Sequence, residues 1–137
     1  MEQAEITALG HSLRRIDQNL LTHNAPDEVQ RIWFQGGEPY FDLFVELREE
    51  QIEWFQLTLR GHSLSWSRKC HRWQTGITNE LQTDDLTFYP ASKIIESDRT
   101  PDREFFHLTH HILKTRAGEP LFDRLLALFH STPTHFC

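Results

Sequence analysis

FDLFVELREEQIEWFQLTLRGHSLSWS, residues Phe41 to Ser67, alternates apolar and polar side chains through three runs, FDLFVEL, EWFQLTLRG and HSLSWS. Period-two alternation is the pattern of half-buried strands, because successive side chains point to opposite sides of a sheet. Short breaks between the runs call for antiparallel neighbours joined by hairpins. The runs belong to a patterned stretch from Tyr40 to Asn79 that describes a scaffold with one apolar face and contains no catalytic motif.

Burial fixes an expected register. Val45 opposite Phe55 and Leu47 opposite Glu53 place Phe41, Leu43, Val45, Leu47, Phe55, Leu57 and Leu59 on one side, and a slip of one residue would mix them with polar groups. Glu49-Glu50 is a poor two-residue turn, since a type I′ turn needs positive φ at both positions, so a loop of three or more residues is expected there. Gly61-His62 fits a type II′ loop that pairs Leu59 with Leu64 and Leu57 with Trp66. A turn near Cys70-His71 brings Trp73 and Ile77 to the same inner side. The opposite, outer face then carries Tyr40, Phe44, Ile52 and Trp54, with Asp42, Glu46, Gln56 and Thr58 among them. Ser65, Ser67, Arg60, Lys69, Arg72 and Gln74 lie farther across.

Working outward, Ile6, Leu9, Leu13, Ile16 and Leu20 recur at helical spacing and predict an amphipathic helix over about 4–22, ended by Asn24-Ala25-Pro26. Val29 to Phe34 reads as a first strand, and Gln35 to Pro39 as a loop. Asn79 to Pro90 is a polar, acidic loop, and Ser92 to Glu96 a short strand or linker. Thr100-Pro101-Asp102 combines a capping hydroxyl, a first-turn proline and an acid at the positive end of a helix dipole. The helix it opens buries Phe105, Leu108, Thr109, Ile112 and Leu113 and stops near Gly118. A last helix from Pro120 buries Leu121, Phe122, Leu125, Leu128 and Phe129 and ends before Pro133. The expected fold is one α+β domain over residues 1–137: an antiparallel four- to five-stranded β-meander with an N-terminal helix and two C-terminal helices packed on one face.

Composition narrows the function classes. The 137 residues include ten Phe and four Trp, enough to build a core without staples. The net charge of −6 argues against general nucleic-acid binding. Between Arg60 and Trp73, however, stand Arg60, Arg68, Lys69 and Arg72 with two histidines and no acid, a basic strip in an otherwise acidic chain. A nucleic-acid contact through residues 60–73 is therefore one reading to weigh. No apolar run approaches membrane-spanning length, and MEQAEITALG lacks the apolar core of a signal peptide. The two cysteines, Cys70 and Cys137, fit reduced thiols and a cytoplasmic setting.

Two chemical patterns invite an enzymatic reading. His107 and His111 are one helical turn apart and could chelate a metal, with His110 beside them and His130, His135 or Cys137 as possible additions. Two ligands fall short of a zinc set, no glutamate follows His107 as in the zincin motif, and the pair lies on the solvated side of its helix. Cys70-His71 places a thiol beside a base, but adjacent residues of a strand point apart. In a turn, Lys69 and Arg72 would instead lower the thiol pKa. No G-x-S-x-G elbow, Walker A loop or G-x-G-x-x-G turn occurs. The expectation is thus a protein that is not an enzyme and takes no cofactor, whose outer sheet face (Tyr40, Phe44, Trp54, Arg60, Lys69 and Arg72) binds a protein partner or a second copy. The metal site at His107 and His111 is the alternative.

Overall fold

The structure, a computed structural model, describes residues 1–16, 29–69, 72–78, 95–98 and 100–131. Helix α1 (Gln3–Ser12) precedes strands β1 (Arg14–Ile16), β2 (Val29–Gln35), β3 (Asp42–Arg48), β4 (Gln51–Leu59), β5 (His62–Ser67), β6 (Arg72–Thr78) and β7 (Ile95–Ser97). Helices α2 (Arg103–Lys114) and α3 (Pro120–Ser131) follow. The strands form one seven-stranded antiparallel meander in chain order, with five long strands flanked by the three-residue edge strands β1 and β7. The α+β expectation holds, and the short edge strands carry the sheet past the four or five strands anticipated.

The inner face is where the alternation puts it. Leu43, Val45, Phe55, Leu57, Leu59, Leu64, Trp66 and Trp73 are all buried and share one hydrophobic cluster with side chains of the three helices among the described residues. Phe34 meets Phe122 edge-on at 5.2 Å, and Trp73 meets Phe106 at 4.9 Å and Phe129 at 4.6 Å, so aromatic rings join sheet to helices. Phe106, absent from the expected helix stripe, is buried together with Phe105, Thr109, Ile112 and Leu113.

Both hairpins differ from expectation in a way that keeps the face dry. Val45 opposes Phe55 and Leu43 opposes Leu57, as burial demands, but a bulge leaves Glu53 as the extra residue and sets Leu47 opposite Ile52. Ile52 therefore turns inward and is buried, rather than lying on the outer face. The turn is the two-residue Glu49-Glu50 loop after all, with φ of +51° and +66°. Left-handed conformations at two non-glycine residues cost on the order of 1–2 kcal/mol each, and burial of Ile52 contributes about 1.5–3 kcal/mol in return. The next turn is Arg60-Gly61, not Gly61-His62, with Leu59 opposite His62 and Leu57 opposite Leu64. Its φ values of +51° and +85° are those of a type I′ turn, with Gly61 at the second position. The slip is two residues, so the same side chains stay inside. Trp73 enters the core opposite Trp66, but Ile77, on the inner side by register and opposite His62, is 50% exposed.

The N-terminal helix stops at Ser12, well short of residue 22, and Arg14–Ile16 instead pairs with β2. Tertiary partners end it. Ser12 Oγ donates to the Leu9 carbonyl (2.7 Å) and accepts from the Gly37 amide (2.9 Å). Arg116 Nη1 donates to the carbonyls of Gly10 (3.0 Å) and Leu13 (2.7 Å), which satisfies acceptors that a helix end leaves open. At Gly10 a Cβ would stand 1.7 Å from Thr115 Oγ1, so glycine lets α1 approach the end of α2. Helix α2 is capped by Asp102, whose carboxylate accepts from the Phe105 amide at 3.0 Å, in place of Thr100. Residues 17–28 with Leu20, the 79–90 loop and Pro133 lie outside the described residues.

The turn makes a quantitative prediction. Glu49→Asn with Glu50→Gly supplies residues suited to positive φ and should raise stability by about 1–2 kcal/mol, read as a higher Tm with unchanged far-UV circular dichroism. Trp66→Ala should cost about 3–5 kcal/mol by opening a cavity in the inner face; a denaturation midpoint equal to that of the parent would exclude this register.

Candidate functional site

The outer face is built in cross-strand rows. One row runs Ile16, Trp33, Phe44, Gln56, Ser65 and Gln74, and the next runs Arg31, Glu46, Trp54, Ser67 and Arg72. Trp33 stacks on Phe44 with ring centroids 5.7 Å apart and planes 10° apart, while its indole N–H donates to Asp42 Oδ1 at 3.1 Å. Trp33, Phe44 and Trp54 are all half-buried. Asp42, Thr58 and Ser63, in the row nearer the β2–β3 loop, are buried, so the outer face is not uniformly open.

Beside Trp54 lies an open groove of about 520 Å³ lined by Val29, Glu46, Arg48, Glu53, Trp54, Ser67 and Lys69. The bulge shapes its rim. Arg68 donates from its backbone N–H to the Glu53 carbonyl (2.9 Å) and from Nε to the Ile52 carbonyl (3.0 Å), and its guanidinium stands 3.7 Å from the Glu53 carboxylate. Arg31 Nε binds Glu46 Oε2 at 3.2 Å. Both acids of the groove thus already face an arginine, and exposed Lys69 gives the rim a positive edge.

The sequence-derived surface divides into two ends. Trp54, Lys69 and Arg72 come together where β4, β5 and β6 meet the β5–β6 loop, with Phe44 one row away. Tyr40, exposed with φ +62°, and Arg60 stand at the other end of the strands. Trp54 and Arg60 are six residues apart along β4 and its turn, a span of roughly 20 Å. Arg60 is bound to Glu38 through Nε (3.0 Å) and Nη2 (2.9 Å) and to Glu5 through Nη2 (3.1 Å), and hydrogen bonding to Glu38 and then Glu5 raises its pKa. It fastens the Arg60-Gly61 turn to the β2–β3 loop and to α1. Trp33 was not among the candidate side chains, although the alternation of Ile32, Trp33 and Phe34 within VQRIWF puts it beside Phe44 once that strand is added to the sheet.

The histidines are arranged differently from the expected chelate. His107 and His111 are both exposed. His111 opens onto a polar groove between α1 and α2 of about 320 Å³, lined also by Gln3, Thr7, His11, Lys114 and Thr115. The histidine contact between helices is His110 with His130, ring centroids 5.1 Å apart and nearly perpendicular. His110 also lies flat on Phe129 at 4.8 Å, and its Nε2 is buried without a hydrogen-bond partner. Burial first, then His130, Lys114, His111 and His107, push its pKa down to about 4. Among the described residues no group of three or more His, Cys, Asp or Glu could hold a metal ion. Cys70, His71, His135 and Cys137 lie outside the described residues.

The chain matches no protein-family model, no curated protein and no solved structure. Among the described residues, no helix is long and apolar enough to cross a membrane.

His110 sets a pH prediction. Its folded pKa lies below the ordinary value of 6.5, so the unfolded chain takes up the proton first. Its contribution to stability is complete above about pH 6.5 and falls as the pH drops toward about 4. His110→Gln, compared with the parent by thermal melts across this range in chelator, should show a shallower loss of Tm on acidification; parallel curves would remove His110 as the cause.

Proposed function

We propose that this chain is a protein-binding module, not an enzyme, and that it works from the Trp54 end of the outer sheet face in a cytoplasmic setting. The observation that carries the reading is the groove beside Trp54, with the stacked Trp33–Phe44 pair in the adjoining row. Aromatic side chains and arginine dominate protein-binding energetics, and half-buried rings on a strand face supply apolar area at little entropic cost. Three large aromatics, each half-buried, are grouped on one side of the sheet, as an interaction patch requires.

The partner that fits is a protein segment with an apolar or aromatic side chain for the Trp54 groove and an acidic residue for Lys69 and Arg72. The charge argument follows from Glu46 and Glu53, which already face Arg31 and Arg68. Nucleic acid fits less well, because Arg60 and Arg68 of the basic strip are engaged within the fold.

The test begins with a partner identified by cross-linking through this face and purified. Trp54→Asp and Phe44→Asp should each weaken its binding by about tenfold or more in a chain that circular dichroism shows still folded, and Lys69→Glu should slow association at low salt. Unchanged affinity in both aromatic variants would refute the reading. A concentration-dependent mass in light scattering, abolished by Trp54→Asp, would instead place a second copy on the face.

A further inference from the structure

Nε2 of His110, on α2, is a buried nitrogen without a hydrogen-bond partner. A buried nitrogen without a partner is destabilising, and the ring of Phe129, on which His110 lies, offers it no hydrogen bond. The ring that faces His110 from α3 is another imidazole, that of exposed His130. Two imidazoles bound to one ion at a nitrogen–metal distance of about 2.0–2.1 Å, with a tetrahedral angle between them, have ring centres about 5 Å apart. The His110–His130 separation of 5.1 Å matches that spacing before any ion is present. A ring spacing of this size also suits ordinary aromatic contact, but such contact leaves the buried His110 nitrogen unpartnered, and an ion would not.

We propose that His110 and His130 form a two-histidine site for a divalent transition-metal ion of the zinc class, held between α2 and α3. The two nitrogens come from separate helices, so the ion staples them together; two protein ligands are fewer than a structural zinc set holds, so water fills the remaining positions on the exposed His130 side. Borderline metals such as Zn²⁺, Co²⁺ and Ni²⁺ suit imidazole ligands, whereas Mg²⁺ and Ca²⁺ prefer oxygen. Lys114, the nearest permanent charge on α2 to affect His110, opposes the ion and keeps the affinity modest. The site is separate from the partner surface, since the helices cover the inner side of the sheet and Trp54 faces outward.

Calorimetric titration of the chelator-treated full chain with Zn²⁺ tests this directly, with Co²⁺ as a spectroscopic probe. One ion per chain should bind and raise Tm, and Co²⁺ should give visible bands. His130→Ala, an exposed position, should keep the fold, weaken Zn²⁺ binding by at least about tenfold and erase the Co²⁺ bands. His107→Ala should bind as the parent does. Absence of uptake, or uptake that survives His130→Ala but is lost in His107→Ala or His111→Ala, would overturn the proposal, the latter placing the ion on the exposed pair one turn apart.

Discussion

Keeping one face of β3, β4 and β5 out of water is the constraint on which the remaining features depend. The alternation across these strands leaves a single parity of pairing that buries Leu43, Val45, Phe55, Leu57, Leu64 and Trp66 together. The hairpin between β3 and β4 satisfies that parity at some local cost. It accepts two glutamates at positive φ and an extra residue at Glu53, and it gains Ile52 for the core. A bulge bends its strand and interrupts the ladder, and Arg68 meets the carbonyls on either side of the interruption. The same bulge puts Glu53 at the rim of the groove whose floor is Trp54. Packing on one face thus shapes the surface available on the other.

The helices follow from the same need for cover. Helices α2 and α3 close the inner face through an aromatic group of Phe106, Phe129, Trp73 and Phe55. Helix α1 is then held less by its own pattern than by Arg116, which binds two carbonyls at its end, makes a fork with Glu119 and lies over the ring of Phe122. That fork lowers the Glu119 pKa through the hydrogen bonds from Arg116. One guanidinium therefore joins the α1–β1 bend, the α2–α3 turn and the core side of α3.

Much of this was legible in the residue order, for a definite reason. Period-two burial survives a slip of two residues, so the face assignment of Leu57, Leu64 and Trp66 holds although the second turn sits one position earlier than its glycine suggested. The helix stripes of α2 and α3 were readable because both helices run their course on one side of the sheet. What escaped was set by long-range contacts. Helical spacing continues through Leu13 and Ile16, yet Arg116, more than a hundred residues away in the chain, ends the helix, and the edge of β2 takes up Arg14–Ile16. The Glu49-Glu50 turn escaped because its backbone strain is offset by Ile52, a term that turn chemistry alone does not contain. Among the candidate side chains, Phe44, Trp54, Lys69 and Arg72 fall at or beside one end of the outer face. His110 was noticed only as a neighbour of His107 and His111, because its significance depends on His130 and Phe129 from a different helix.

A charge run in a sequence and a charged surface in a fold are different objects, and this chain separates them. The acid-free stretch from Arg60 to Trp73 reads as one basic strip. In three dimensions Arg60 binds Glu38 and Glu5 at one end of the sheet, and Arg68 serves the bulge and Glu53 at the other. Both cations hold turns in place, which is why the strip does not form a continuous track for a phosphate backbone. Lys69 and Arg72 remain on the side of the sheet that carries Trp54, and it is this grouping of two cations with three aromatic rings that the proposed apolar and acidic partner segment rests on. The histidines divide in the same manner. His107 and His111 share an exposed helix face, whereas His110 is drawn into the α2–α3 seam against Phe129 and His130, where burial and its cationic neighbours change its protonation. In both cases residue type names the chemistry that is possible, and the meander with its covering helices decides which of those residues can perform it.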